Sequence, residues 1–117
     1  MLFRSQDIAD AVNAFLAPKS LQGIRVLMTA GPTFEPIDAV RGITNRSSGK
    51  MGYAIARAAI GAGAKVTLVS GPSSQPIPAG AMVTPVQTAS EMFEAVKQHA
   101  KHADIFIGVA EIGRAHV

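Results

Sequence analysis

The chain contains no cysteine and no tryptophan, and each absence closes off a class of chemistry or of construction. Without cysteine there is no disulfide framework, no thiolate metal site and no thiol nucleophile. Without tryptophan, and with aromatic residues at only 5%, the core cannot be built around large rings. It must come from closely packed Val, Ile, Leu, Ala and Met, as where helices lie against a parallel sheet. No apolar run approaches the roughly 18 residues of a membrane span. The first residues lack the basic segment and apolar run of a secretory signal. The expectation is a soluble, cytoplasmic chain. A basic stripe is missing too. The net charge of +3 is spread along the sequence. That suits a small anionic ligand better than a nucleic acid, although ordinary solvated lysines and arginines account for it equally well.

What is present is apolar and regularly punctuated. Hydrophobic residues make up 48% of the 117, enough for one domain or part of one. Residues 5–16 carry apolar positions at helical spacing behind Ser5 as a cap. Residues 17–23, APKSLQG, break that pattern as a linker. Residues 24–28 form a strand that ends at Thr29, and residues 33–46, with two prolines and no clean period, read as loop. From Ser47 or Ser48 the pattern is helical to about Ala62, with Gly63 closing it as a C′ glycine. Strands follow over 65–69 and 82–86, separated by a loop with three prolines. Thr88 and Glu91 form a capping box for a helix reaching about Lys101. Residues 104–109 are continuously apolar, as in a strand covered on both faces. The order strand, helix, strand, strand, helix, strand predicts an α/β, Rossmann-like three-layer fold with a parallel sheet of about four strands.

In such a sheet ligands bind at the carboxyl ends of the strands, near the point where strand order reverses. The loop from Gly31 to Ser48 therefore stands where a ligand would, with Gly31 and Thr33 at its start. A helix N-terminus presents free N–H groups and partial positive charge. Ser47 and Ser48 can cap it or donate hydroxyls, and Gly49 allows close approach to the backbone. Lys50 adds a mobile positive charge, and Arg41 and Arg46 add planar ones. The Asn45 amide can donate to a carboxylate while accepting from a backbone group. Small residues at Gly52, Ala56 and Ala59 let the helix lie close to the sheet. Each feature also has a plain structural account: a cap, a solvated lysine, a turn asparagine. Together they predict an anion site without naming the anion.

Two familiar phosphate motifs are absent. A Walker A loop needs Ser or Thr after Gly-Lys, and here Gly49-Lys50 is followed by Met51. A dinucleotide fingerprint needs three spaced glycines after the first strand and an acid after the second. Here the first loop reads AGPTFEP and the second strand ends Val69-Ser70-Gly71. A Rossmann-like reductase is accordingly the weaker alternative.

The stretch GPTFEPIDAVRGITNRSSGKMGYAIARAAIGAGAKVTLVSGP, with ITNRSSGKMG its most specific part, resembles the ligase half of the bacterial bifunctional phosphopantothenoylcysteine decarboxylase/phosphopantothenate–cysteine ligase family of coenzyme A biosynthesis. The resemblance covers about residues 21–110. Residues 1–20 resemble the end of the decarboxylase domain and its linker. It implies a ligase that uses CTP and Mg²⁺ to activate 4′-phosphopantothenate as an acyl-cytidylate, which then forms an amide with cysteine. It implies FMN only in the decarboxylase domain, dimeric ligase domains in a homo-oligomer, and no nucleic-acid or membrane partner. By the same resemblance Asn45 handles the acyl group and its cytidylate, and Arg41 holds the anionic substrate. Ser47, Ser48, Gly49 and Lys50 line the phosphate region, and IFIGVA leads into the nucleotide-binding loop. No protein metal ligand is assigned. The family carries proline where this chain has Ala39 and an aromatic residue where it has Gly42, which predicts a looser substrate loop. After Ala110 the family pattern stops. Residues 111–117, EIGRAHV, are expected to be non-native sequence, and the fragment is expected to be inactive. The alternative function is a non-catalytic half-domain that binds a phosphorylated ligand.

Overall fold

The computed structural model describes residues 20–45 and 48–111. The helix expected over 5–16, the candidate Ser47, Arg46, and residues 112–117 lie outside them.

Strand β1 (Arg25–Ala30) is the buried centre of the sheet. A short hairpin follows, β2 (Glu35–Pro36) paired antiparallel with β3 (Gly42–Ile43). Helix α1 (Lys50–Gly61), β4 (Lys65–Ser70), β5 (Met82–Pro85), α2 (Ala89–Ala100) and β6 (Ile105–Gly108) complete the described chain. The main sheet runs β5-β4-β1-β6, and every neighbouring pair in it is parallel. This is the expected α/β Rossmann-like architecture.

Alternation along β1 sorts the two faces. Val26, Met28 and Ala30 point toward α1 and pack with Tyr53, Ala56, Ala59, Val66 and Leu68. Leu27 points the other way, with Val69, against Met92 and Ala95 of α2. The α1 face is made almost entirely of small side chains, so helix and sheet come very close. A Cβ placed on Gly52 would stand 2.5 Å from the Cβ of Ala30. At the other end of α1, the Ala62 N–H bonds to carbonyls of the last turn and Gly63 follows at φ 98°, the expected left-handed close. Across the helix–sheet seam, the Tyr53 hydroxyl and Ser70 Oγ share a buried hydrogen bond of 2.7 Å.

Helix α2 starts on the capping box that its sequence announces. Thr88 Oγ1 accepts from the Glu91 N–H at 3.0 Å, and Glu91 Oε1 accepts from the N–H groups of Thr88 and Gln87. Those backbone donors favour the ionised carboxylate, the Thr88 N–H most of all, and hold the Glu91 carboxyl below its usual range.

Two expectations need correction. The stretch over 33–46 is not simple loop but carries the β2–β3 hairpin. Its strands of two residues are too short to show a period of two, and one contains proline. Its turn is built by Asp38, whose Oδ1 accepts from the N–H groups of Val40 and Arg41. Within the hairpin, the Phe34 ring occupies the space beside the Gly42 α-carbon. The second correction concerns β6. It was expected to be covered on both faces, yet it has one strand neighbour and leaves Ile105 40% and Phe106 55% exposed. A continuous apolar run records what a strand can be covered by, not what covers it among the described residues. At its start, Asp104 makes a two-pronged pair with the Arg25 guanidinium, whose hydrogen bonds hold the Asp104 carboxyl below its usual range.

Two tests follow from the packing. Gly52→Val should lose about 1–3 kcal/mol by overpacking against Ala30. Gly61→Ala, whose new methyl meets nothing within 4 Å, should gain about 0.5 kcal/mol from helix propensity; urea unfolding reads both. Because Glu91's carboxyl is depressed in the folded chain, its stabilisation is full above the ordinary glutamate range. It is lost as pH falls through the folded value. Glu91→Gln should therefore flatten the fall of stability below about pH 5, measured by urea midpoints across pH.

Candidate functional site

The connection after β1 leads through α1 to β4 on one side of β1, while β6 lies on its other side. Strand order therefore reverses between β1 and β6, whose ends stay bridged through Pro32 and Glu111, and such a switch point is where open α/β sheets bind ligands. An open cleft of about 550 Å³ lies there, between the start of α1 and the chain leaving β6. Asn45, Ser48, Gly49, Lys50, Met51 and Gly52 form one wall, and Val109 and Glu111 form the other.

Of the residues singled out in the sequence, Asn45, Ser48, Gly49 and Lys50 are brought together at this cleft. Asn45 Nδ2 donates to the Glu111 carbonyl at 2.9 Å, which ties the first loop to the strand end opposite. Gly49, not a serine, is the N-cap of α1; it sits at φ 80° and has no side chain to cap the helix with. Ser48 Oγ instead accepts from the Lys50 N–H, at 3.3 Å. The glycine at 49 is needed for chain geometry on two counts. Its φ lies in the left-handed region, and a Cβ would stand 3.1 Å from Ser73 Oγ and 3.3 Å from the Gly31 α-carbon.

The other three described candidates stand elsewhere. Gly31 lies behind the cleft at φ 78°, facing the backbone of Gly71. Thr33 is fully buried. Its N–H donates to the Glu111 carbonyl and its own carbonyl accepts from Thr44 Oγ1. Arg41 is on the hairpin, where Nη2 and Nε reach Asp38 Oδ2 at 2.7 and 2.8 Å. Gly31 and Thr33 were placed by position along the loop and Arg41 by its charge and by resemblance, and Arg41 stands on the hairpin rather than at the cleft. It missed Met51, Val109 and Glu111, which line the cleft. The signal for the last two was their place just after the strand beside the switch point.

The electrostatics of the two helix starts differ in kind. The first turn of α2 is already served by carboxylates: Glu91 within the helix, and Glu35 from the hairpin, which accepts from the Ala89 N–H at 2.8 Å. The first turn of α1 holds no acidic residue, and Lys50 adds a positive charge there. The positive end of that helix thus lacks the carboxylate neighbours that the start of α2 has. Among the described residues no group of three or more acidic or histidine side chains stands together as a metal site. The cleft's donor set does not by itself fit a bound divalent ion. No helix among the described residues is long and apolar enough to cross a membrane.

Comparison with known proteins settles the family. The model of the DNA/pantothenate metabolism flavoprotein C-terminal domain matches residues 21–113. This chain belongs to that family. The coenzyme A biosynthesis bifunctional protein CoaBC of Vibrio vulnificus strain YJ016 is 55% identical over 98 residues, 84% of this chain and 24% of that protein. The chain thus spans about a quarter of the length of such relatives. Among solved structures, the CoaBC C-terminal domain superposes with a TM-score of 0.75 at 52% identity, over 77% of this chain and 46% of that one. A mutant of Cab2 in complex with phosphopantothenate-cysteine shares the fold, with a TM-score of 0.65 at 16% identity over 92% of this chain and 51% of that one.

The glycine that opens α1 gives a direct test of this turn's geometry. Gly49→Ala should cost about 1–2 kcal/mol from its left-handed φ alone. Contact with Ser73 and Gly31 adds to it, and the loss appears as a lower urea midpoint.

Proposed function

We propose that this chain is part of the ligase domain of a CTP-dependent phosphopantothenate–cysteine ligase of coenzyme A biosynthesis, and that its cleft receives the activated acyl end of the substrate. The observation that carries the reading is the α1 N-terminus, free of carboxylates, opening at the switch point beside Asn45 and Lys50. The family and the CoaBC relatives supply its context.

In the proposed reaction the carboxylate of 4′-phosphopantothenate attacks the α-phosphate of CTP, and pyrophosphate leaves. The amine of cysteine then attacks the acyl carbon and CMP leaves. Neither step needs a protein nucleophile, which agrees with a chain that has no cysteine of its own. Both need negative charge neutralised and groups aligned. Lys50 and the backbone at the start of α1 supply the charge complement. Asn45 holds the loop against the Glu111 carbonyl and stands where its amide can meet the acyl group. Ser48 presents its hydroxyl at the same wall, with Ser47 beside it in sequence. Arg41, held by Asp38 through Nε and Nη2, would offer the anionic substrate its remaining guanidinium N–H groups. Gly31 and Thr33 act from behind, by shaping the loop. The nucleotide, Mg²⁺ and cysteine need further groups, and FMN belongs to a separate decarboxylase domain. The proposed parent protein is a cytoplasmic homo-oligomer with dimeric ligase domains. Residues 1–20 form the end of the decarboxylase domain and its linker, and residues 111–117 are a tail foreign to the parent.

A second reading, binding without turnover, is favoured by the open face at Ile105 and Phe106 and by a span of a quarter of the relatives' length. Calorimetry with 4′-phosphopantothenate and a pyrophosphate-release assay with CTP test the two. Both readings expect this chain to bind without release; release by the chain itself would overturn the second reading. Asn45→Ala should weaken that binding about 3- to 10-fold, the worth of one hydrogen bond. Absence of binding to the wild-type chain would remove the anion-site reading.

A further inference from the structure

The wall of the cleft at Ser48 and Gly49 is not held by its own loop alone. The Pro-rich connection between β4 and β5 reaches over it, and one side chain of that connection touches it. Ser73 Oγ donates to the Ser48 carbonyl at 2.6 Å. The same oxygen accepts from the Gln75 N–H at 3.1 Å, so the hydroxyl rotor is fixed from both sides. The connection is itself anchored at three further points. The Gly71 N–H donates to the Ala30 carbonyl at 3.0 Å, Arg57 Nη2 donates to the Pro76 carbonyl at 3.1 Å, and Pro78 is fully buried. Arg57 lies on α1, so the connection straps the first turns of the helix that it leans on.

We infer that Ser73 is a positioning residue of the proposed anion site. No cis peptide bond occurs among the described residues, so the carbonyl of Ser48 and the N–H of Gly49 point in opposite directions across one rigid plane. Gripping that carbonyl fixes the plane, and with it the direction of the Gly49 N–H and the place of Ser48 and Lys50 at the cleft. The task requires one group that donates to a carbonyl while accepting from an N–H, which a hydroxyl can do. It also requires a small side chain, because the hydroxyl sits against the Gly49 α-carbon, where any Cβ would be 3.1 Å away. Ser73 meets no substrate in this arrangement and acts through the Ser48–Gly49 peptide.

This inference rests on the anion-site reading, and the test keeps the two apart. Inorganic pyrophosphate is titrated into the ¹⁵N-labelled 117-residue chain, with amide resonances of residues 48–52 followed by NMR. Ser73→Ala should move the Gly49 and Lys50 resonances before any ligand is added, and weaken pyrophosphate binding about 3- to 10-fold. Ser73→Thr, which keeps the hydroxyl, should restore both. Thr88→Ala, which loosens α2 away from the cleft, should leave pyrophosphate affinity unchanged. Undiminished binding by Ser73→Ala, or an equal loss in Thr88→Ala, overturns the role of Ser73 and leaves the anion site standing. A wild-type chain whose resonances ignore pyrophosphate overturns the anion site and this inference together.

Discussion

The closeness of one helix to one strand governs the rest. Helix α1 can lie on β1 only because Gly52 faces Ala30 with no methyl to spare between them. That contact is made within the first turn of the helix, so it sets where the N-terminus stands as well as how the core packs. The same helix start carries the Gly49 turn, which packs beside Gly31. The core and the cleft are therefore two sides of one steric condition. The run of Gly52, Ala56 and Ala59 on the buried face of the helix is its compositional trace.

The two helix starts then part company. Both expose the N–H groups that every helix leaves unsatisfied. In α2 the chain answers them itself, with Thr88, Glu91 and Glu35. In α1 the N-cap is a glycine, no acid stands in the first turn, and Ser48 Oγ serves the Lys50 N–H. The start of α1 is therefore the more electropositive of the two.

Much of this was legible in the sequence, for identifiable reasons. The helix of small residues, Gly63 as its close and the Thr88–Glu91 box each depend on interactions within a few positions, so local spacing reveals them. The four parallel strands followed from apolar runs bounded by glycine and proline. The hairpin was illegible because its pairing rests on Asp38 folding back on its own turn, and its strands are too brief to alternate. The start of α1 was misread by one feature: serine is the commoner cap, but here the left-handed glycine does the work and Ser48 turns inward to Lys50. Gly31 and Thr33 were placed by their positions along the loop and Arg41 by its charge and by resemblance, and only the hairpin's fold shows that Arg41 stands away from the cleft. Ser73 gave no local sign at all, because its partner lies 25 positions away.

Glu35 has a consequence of its own. Its carboxylate leaves the hairpin and sits on the Ala89 amide, while the Phe34 N–H reaches the Gln87 carbonyl. The hairpin is thereby latched to the opposite layer of the molecule from the one that α1 occupies. Any swing of the hairpin toward a ligand must first unfasten the opening turn of α2, so a movement on the cleft side is registered as fraying on the far side of the sheet.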